Sequence, residues 1–442
     1  MAYFPEIPEA VPFEGPESRN PLAFHWYQPD RVVAGRPMAE HLKFAGCYWH
    51  TFMGTGADPF GGGVYDRPWP RGTSPMDNAL RTLDAAFEFM QKIGVRYWCF
   101  HDTDLAPSGA SLADLFRNLD TLVPRAADLQ RATGIRLLWG TANLFSHPRY
   151  THGAATNPDP RVFACAAAQV KHALDATLAL GGTGYVFWGG REGYSTLLNT
   201  DLRAEREQAA RFFHLAVDYA KRIGFTGRFF IEPKPKEPSK HQYDYDAATA
   251  IGFLREFGLL DHFALNIEAN HATLAGHSFE HELAVASAAG LLGSIDVNVG
   301  DPTLGWDTDE FPTDVRSAAL AMAMVLAQGG LSHGGLNFDA KVRRGSFDTQ
   351  DLVVAHLSGM DTFARGLLVA DRLIQDGALT APLAARYTGW QSALGTRIRT
   401  GAVTLEELAT WAATQGEPPL VSGRQETLER VLNDYVYSPS IR

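Results

Sequence analysis

Short runs of apolar residues alternate with longer stretches of helical periodicity along most of the chain. Leu80, Leu83, Phe87 and Met90 recur at three- and four-residue spacing, Gly94 ends the pattern, and VRYWCF at residues 95–100 follows, apolar on both faces. The same order of helix, glycine and strand returns at Gly134 before IRLLWG, at Gly224 before RFFIEP and at Gly258 before HFALNIE. Counting such runs gives eight strand candidates: CYWHTF near 47, VRYWCF near 95, IRLLWG near 135, YVFWGG near 185, RFFIEP near 228, HFALNIE near 262, LLGSIDVN near 291 and GGLNFDA near 334. Strands apolar on both faces and joined by helices specify an α/β fold with a parallel sheet. Eight βα units are the number that closes a (β/α)8 TIM barrel, with a doubly wound open sheet as the alternative. The surplus length falls at the ends, as a Pro-rich N-terminal extension over residues 1–40 and a helical C-terminal arm over residues 381–442. Between them, residues 41–380 form the barrel catalytic domain. An arm not needed for barrel closure suits subunit contacts.

Composition narrows the class. At 442 residues, 45% hydrophobic and 20% charged, the chain can bury a large core. The apolar run at 318–327 is too short to cross a bilayer and reads as a buried helix. The N-terminus lacks a basic start and apolar core, and Cys47, Cys99 and Cys165 show neither disulfide nor metal spacing, which favours the cytoplasm and no membrane. A net charge of −11 argues against nucleic acid as partner, because gripping phosphates requires clustered Lys and Arg.

The acids are not spread evenly. GSIDVNVGDPTLGWDTDEF, residues 293–311, holds five of them and no Lys or Arg. In a (β/α)8 barrel the reactive groups gather where strands end. Strand two ends in His101 and Asp104, strand five in Glu232 and Lys234, and strand six in Glu268 and His271. Strand seven ends in Asp296 and is followed by Asp307 and Asp309, and strand eight ends in Asp339. A single strand-end acid is usually a helix cap, but six converging on one mouth would repel one another and lose hydration, so cations must neutralise them. Oxygen donors with one imidazole suit Mg2+, Mn2+ or Co2+, and seven ligand residues suit two ions bridged by Glu268, on the central strand. Asp307 and Asp309, two apart in an extended loop, would hold one ion together with His271. DTDEF lacks the spacing of a calcium loop. Pro233 and Pro235 keep Glu232 and Lys234 facing one site, where the ammonium reaches a substrate oxygen. His101 with Asp104 reads as an acid/base pair, and Trp49, Trp139 and Trp188 at strand ends suit stacking on a sugar ring. His50, His147, His241, His277 and His333 are expected to be structural. Neither a dinucleotide fingerprint, a Walker loop nor a G-x-S-x-G elbow occurs, so no organic cofactor is expected.

FHDTD, WGGREGY, IEPKPKEPSKHQYDYD, NIEANHATLAGHSF, GWDTDEFP and GGLNFDAKVRR together resemble xylose isomerase of the longer-chain class, in order and over nearly the whole chain. The resemblance implies a homotetrameric barrel enzyme that interconverts D-xylose and D-xylulose, and D-glucose and D-fructose, with two divalent metal ions. It implies Glu232, Glu268, Asp296 and Asp339 as ligands of one ion and Glu268, His271, Asp307 and Asp309 as ligands of the other. His101, helped by Asp104, would open the sugar ring, and Lys234 would bond the carbonyl oxygen. Trp49, Thr141, Phe145 and Trp188 resemble pocket residues, and Phe60 an aromatic inserted into a neighbour's site. Where the family reads DANRGD or DANQGD this chain reads DVNVGD: the ligand Asp296 is kept, and the polar side chain lost beside it, with Val297 and Val299 in its place, bears on metal affinity or pH optimum rather than on the reaction. Other metal-dependent barrel isomerases, a barrel endonuclease and a non-catalytic sugar-binding protein are the competing readings.

Overall fold

The computed structural model describes residues 2–441. Eight strands and eight helices alternate through it: β1 (Phe44–Cys47), α1 (Pro75–Ile93), β2 (Tyr97–His101), α2 (Leu112–Thr133), β3 (Arg136–Thr141), α3 (Pro160–Ala179), β4 (Gly184–Trp188), α4 (Leu202–Ile223), β5 (Arg228–Glu232), α5 (Ala247–Glu256), β6 (Phe263–Glu268), α6 (Phe279–Ala288), β7 (Leu292–Asp296), α7 (Val315–Ala327), β8 (Leu336–Phe338) and α8 (Thr349–Gln375). The strands pair in parallel, each with its neighbours in this order, and β8 pairs with β1 to close the barrel. The chain is therefore a (β/α)8 barrel, and the open-sheet alternative is excluded by that last pairing.

Local signals set the element ends. Ser74 accepts from the Asp77 N–H to start α1, and Gly94, at φ 72°, stops it in the left-handed conformation that glycine adopts without strain. Ser111 and Asp201 cap α2 and α4 in the same way. Inside the barrel Phe230 fills the space between strands. A methyl group on Gly184 or Gly293 would lie 2.4 Å from its ring, so both positions require glycine.

The first strand lies ahead of the predicted CYWHTF and shares only Cys47 with it. It ends at Cys47, and residues Trp49–Met53 wind into a π-helical turn that brings Trp49 and His50 over the barrel mouth. A π turn carries no hydrophobic period of its own, and its aromatic residues read as strand. The N-terminal extension is not loose: Phe4, Ile7, Phe24 and Tyr27 are buried, and Lys92 donates to the carbonyls of Phe4 and Ile7. Helix α8 is long and apolar enough to cross a membrane, but 78% of its most apolar window is buried within the molecule, as in a core helix.

Beyond α8 come α9 (Thr380–Arg386), α10 (Ala393–Arg399), α11 (Leu405–Gln415) and α12 (Gln425–Val436). Leu383, Trp390, Trp411 and Leu420 stand exposed along this arm, whereas Leu432 and Val436 of α12 return to pack on Ala319, Val369 and Leu373.

Candidate metal and active site

The strand register brings the strand-end acids to one level. Trp188 is opposite Glu232, Glu268 is opposite Asp296, and Asp296 is opposite Asn337. Glu232, Glu268, Asp296 and Asp339 each present an oxygen to a common point, with these atoms all within 4.8 Å of one another. Glu268 also shares such a point with Asp307 and Asp309, and another with Glu232 and His271. His271, on the short helix Ala269–Leu274 that begins where β6 ends, sets Nδ1 3.2 Å from Glu268 Oε2 and Nε2 3.6 Å from Asp307 Oδ2.

The two halves of this site differ in charge. Burial raises the pKa of Glu232, Glu268 and Asp296 well above the carboxylate range. Nearby carboxylates raise them further: Asp296 and Asp339 act on Glu232, Asp307 and Asp309 on Glu268, and Asp339 on Asp296. In the other half, burial opposes ionisation of Asp309, but Lys341 and His50 overcome it and hold the carboxyl well below its usual range. Lys341 Nζ lies 2.9 Å from Asp309 Oδ2, and Lys234 Nζ lies 2.5 Å from Asp307 Oδ2. Two lysines and a histidine therefore supply positive charge to the Asp307–Asp309 half. Among the described residues no lysine or arginine pairs with Glu232, Glu268 or Asp296, and His50 reaches only Asp339 of that half. That excess of buried acid, and the His271 Nδ1 atom, buried without a hydrogen-bond donor or acceptor matched to it, fit a divalent cation chemically.

Asparagines, absent from the sequence-derived site, hold the carboxylates in place. Asn266 donates to Glu232 (3.0 Å) and Asp296 (2.8 Å), and Asn337 donates to Asp296 (3.0 Å). Asn298 donates to Glu268 (2.7 Å) and Asp309 (3.2 Å), and Asn270 to Asp307 and Asp309. Gly300 leaves the room that Asn270 occupies, since a Cβ there would lie 1.9 Å from Asn270 Oδ1. The departure DVNVGD thus touches the acids less than expected. Val297 is buried in the hydrophobic core, Val299 is partly exposed and pairs through its backbone with Glu310, and the residue that touches carboxylates is Asn298.

A cavity of about 250 Å³ opens onto these groups, lined also by Trp49, His50, His101, Trp139, Thr141, Phe145, Trp188 and Lys341. His50, expected to be structural, is instead part of it, with Nε2 3.2 Å from both Asp309 and Asp339. Burial alone would lower its pKa, but hydrogen bonds to those carboxylates raise it to about 9. Its position just past a strand end was the available signal, as was that of Lys341, two residues after Asp339, as Lys234 is after Glu232. Asp309 sits at φ 45°, so the Asp307–Asp309 segment is not the extended loop expected; the kink turns Asp309 toward Lys341. His101 Nδ1 lies 2.8 Å from Asp104 Oδ2, which leaves Nε2 as the proton-accepting ring nitrogen. Trp49 donates to Asp339 (2.8 Å) and packs its ring 4.3 Å from that of His101. Thr141 donates to the Val186 carbonyl (2.6 Å), and Phe145 meets Trp188 edge-on at 4.4 Å. Phe60 does not join the cavity of its own chain: it is 79% exposed, beside Trp306.

Comparison with known proteins extends the likeness to the full length. Residues 128–306 match the family described as Xylose isomerase-like TIM barrel, and residues 383–436 match that described as XylA2 C-terminal domain. The chain is similar to "Xylose isomerase" of Thermotoga neapolitana, 56% identical over 434 residues and covering 98% of each chain. It is 55% identical over 440 residues to "Xylose isomerase" of Geobacillus kaustophilus, covering 100% of this chain and 98% of that one. It is 58% identical over 434 residues to "Xylose isomerase 2" of Xanthomonas campestris, covering 98% and 97%. With a closed eight-stranded barrel, a carboxylate cluster at its mouth and identity above one half across both full lengths, the chain belongs to the xylose isomerase family.

Proposed function

We propose that this enzyme interconverts D-xylose and D-xylulose, and D-glucose and D-fructose, in the cavity between the carboxylate cluster and the Trp49–His101–Phe145–Trp188 wall. The observation that carries the reading is the shared Glu268, whose carboxylate joins the four-carboxylate group to the Asp307–Asp309 group. Glu232, Glu268, Asp296 and Asp339 would hold one divalent cation, and Glu268, His271, Asp307 and Asp309 a second, with Mg2+, Mn2+ and Co2+ the candidates. When bound, these ions supply positive charge that polarises the sugar's hydroxyl and carbonyl oxygens.

The chain's own groups do the rest. Asp104 orients His101, and the free Nε2 takes the anomeric hydroxyl proton as the ring opens. Burial disfavours the Lys234 ammonium, but Asp307 raises its pKa overall, so it stays charged and donates to O1 as negative charge develops there. A permanently charged lysine is a poor base. That favours transfer of the C2 hydrogen to C1 with its electron pair, while the O2 proton leaves and O1 gains one, over an enediol route. The aromatic wall offers apolar faces to the sugar carbons and excludes water. Phe60 and the exposed arm fit a homotetramer in which each protomer completes its neighbour's pocket. Three free thiols, two of them buried, fit a cytoplasmic setting.

The test is ketose formation from xylose, glucose, rhamnose and arabinose by chelator-stripped protein as Mg2+, Mn2+ or Co2+ is returned. Activity restored on xylose and glucose supports the reading, and restoration confined to rhamnose or arabinose contradicts it.

A further inference from the structure

Outside the barrel mouth, a second group of ligand-type side chains gathers where the N-termini of α5 and α6 meet. His277, His281 and Glu282 present atoms all within 4.8 Å of one another. His277 Nε2 and His281 Nε2 each lie 4.0 Å from Glu282 Oε1, and His277 Nε2 lies 3.2 Å from Asp246 Oδ2. The two imidazole rings are 4.6 Å apart, centre to centre.

Both carboxylates are anchored by one oxygen and present the other. Glu282, 4% exposed, accepts the Ala247 N–H at Oε2 (2.7 Å), leaving Oε1 toward the imidazoles. Asp246 accepts the Thr249 N–H at Oδ1 (2.7 Å) as the cap of α5, leaving Oδ2 toward His277. The N-terminus of α5 thus orients both anions, and the imidazoles close the other side. A structural ion pair needs one histidine; a second, converging on the same carboxylate oxygen, exceeds that role.

We propose that His277, His281, Glu282 and Asp246 form a binding site for a divalent transition-metal ion of the Zn2+ class. Two neutral imidazoles and two carboxylates suit Zn2+, Ni2+ or Cu2+ and disfavour Mg2+, which prefers an all-oxygen octahedral shell. Donors around a tetrahedral ion with bonds of about 2.0–2.1 Å lie roughly 3.3 Å apart; the His277–Asp246 pair at 3.2 Å stands at that spacing, the two imidazole–Glu282 pairs at 4.0 Å need small side-chain movements, and Asp246, outside the group of three, must turn further inward to become the fourth ligand. The ion would tie the start of α5 to the start of α6 across β6, on the outside of the barrel.

The test compares the wild-type enzyme with the His281→Ala variant, which removes a half-exposed side chain outside the catalytic cavity. Each is dialysed against Zn2+ in the presence of Mg2+, bound zinc is counted per chain, and crystals are measured at the zinc absorption edge. The expected result is one more zinc per wild-type chain than per variant chain, with an anomalous peak between His277, His281 and Glu282. Equal zinc counts, no peak at that position, or a peak on a single imidazole would overturn the proposal.

Discussion

At the residue scale, the site separates groups that hold charge from groups that act on substrate, and the two should fail differently. Asn298 touches Glu268 and Asp309 but takes no part in the proposed chemistry. Asn298→Ala is therefore expected to weaken metal affinity by about 10–100-fold, as loss of a group orienting ligands does, with turnover recovering at saturating metal. Lys234→Ala should show the reverse, with metal still bound and turnover lowered on the order of 10²–10³-fold, the magnitude for a donor to developing negative charge. Metal titration monitored by both binding and activity distinguishes the two. A Lys234→Ala protein with undiminished turnover would reduce the lysine to an ion-pair partner of Asp307 and remove it from the proposed chemistry. These residues were unequally legible. Acids at strand ends can be read from sequence because six of them recur at the ends of consecutive apolar runs, where a single one would be an ordinary helix cap. Asn298 and Lys341 are unremarkable in a loop, and Asn266 and Asn337 are single polar residues within apolar strands; all acquire meaning only once the register sets them against those acids. His50 was misread because the π turn that carries it has no sequence period to announce it.

At the element scale, α8 seals the barrel through a histidine without charge. His356 is fully buried against Phe89, Phe311 and Phe338, donates from Nδ1 to the Leu352 carbonyl (2.8 Å), and has its pKa lowered to about 4 by burial. A depressed histidine pKa contributes stability that is fully present above the unfolded value of about 6.5 and is lost as pH falls toward 4. The loss amounts to at most about 3 kcal/mol over that window. Chemical denaturation of wild type and His356→Leu at pH 7 and pH 4.5 should show the wild type losing more stability on acidification than the variant. Equal losses would mean that this histidine does not set the acid sensitivity. The burial of this histidine could not be read from the sequence, because it depends on aromatic residues from β8 and from distant segments.

At the scale of the whole molecule, the number and order of βα units were legible because each strand is apolar on both faces and each helix carries its own stop. Closure was not legible, since it rests on the β8–β1 pairing between segments nearly 300 residues apart, which no local pattern encodes. The arm poses the opposite case: its helices are plain in the sequence, yet within one chain Leu383, Trp390, Trp411 and Leu420 stand exposed. If the arm wraps neighbouring protomers, the double variant Trp390→Asp/Trp411→Asp should shift the mass measured by light scattering from tetramer toward smaller species. An unchanged tetramer would place the interface elsewhere.

The central claim is that the acids at the barrel mouth are a cradle for two cations joined through Glu268. Anomalous diffraction from metal-stripped crystals soaked in Mn2+ tests it most directly. The account predicts two peaks, one among Glu232, Glu268, Asp296 and Asp339 and the other among Glu268, His271, Asp307 and Asp309. A map with no peak at either position, or with a single peak that leaves Glu268 uncoordinated, would contradict it.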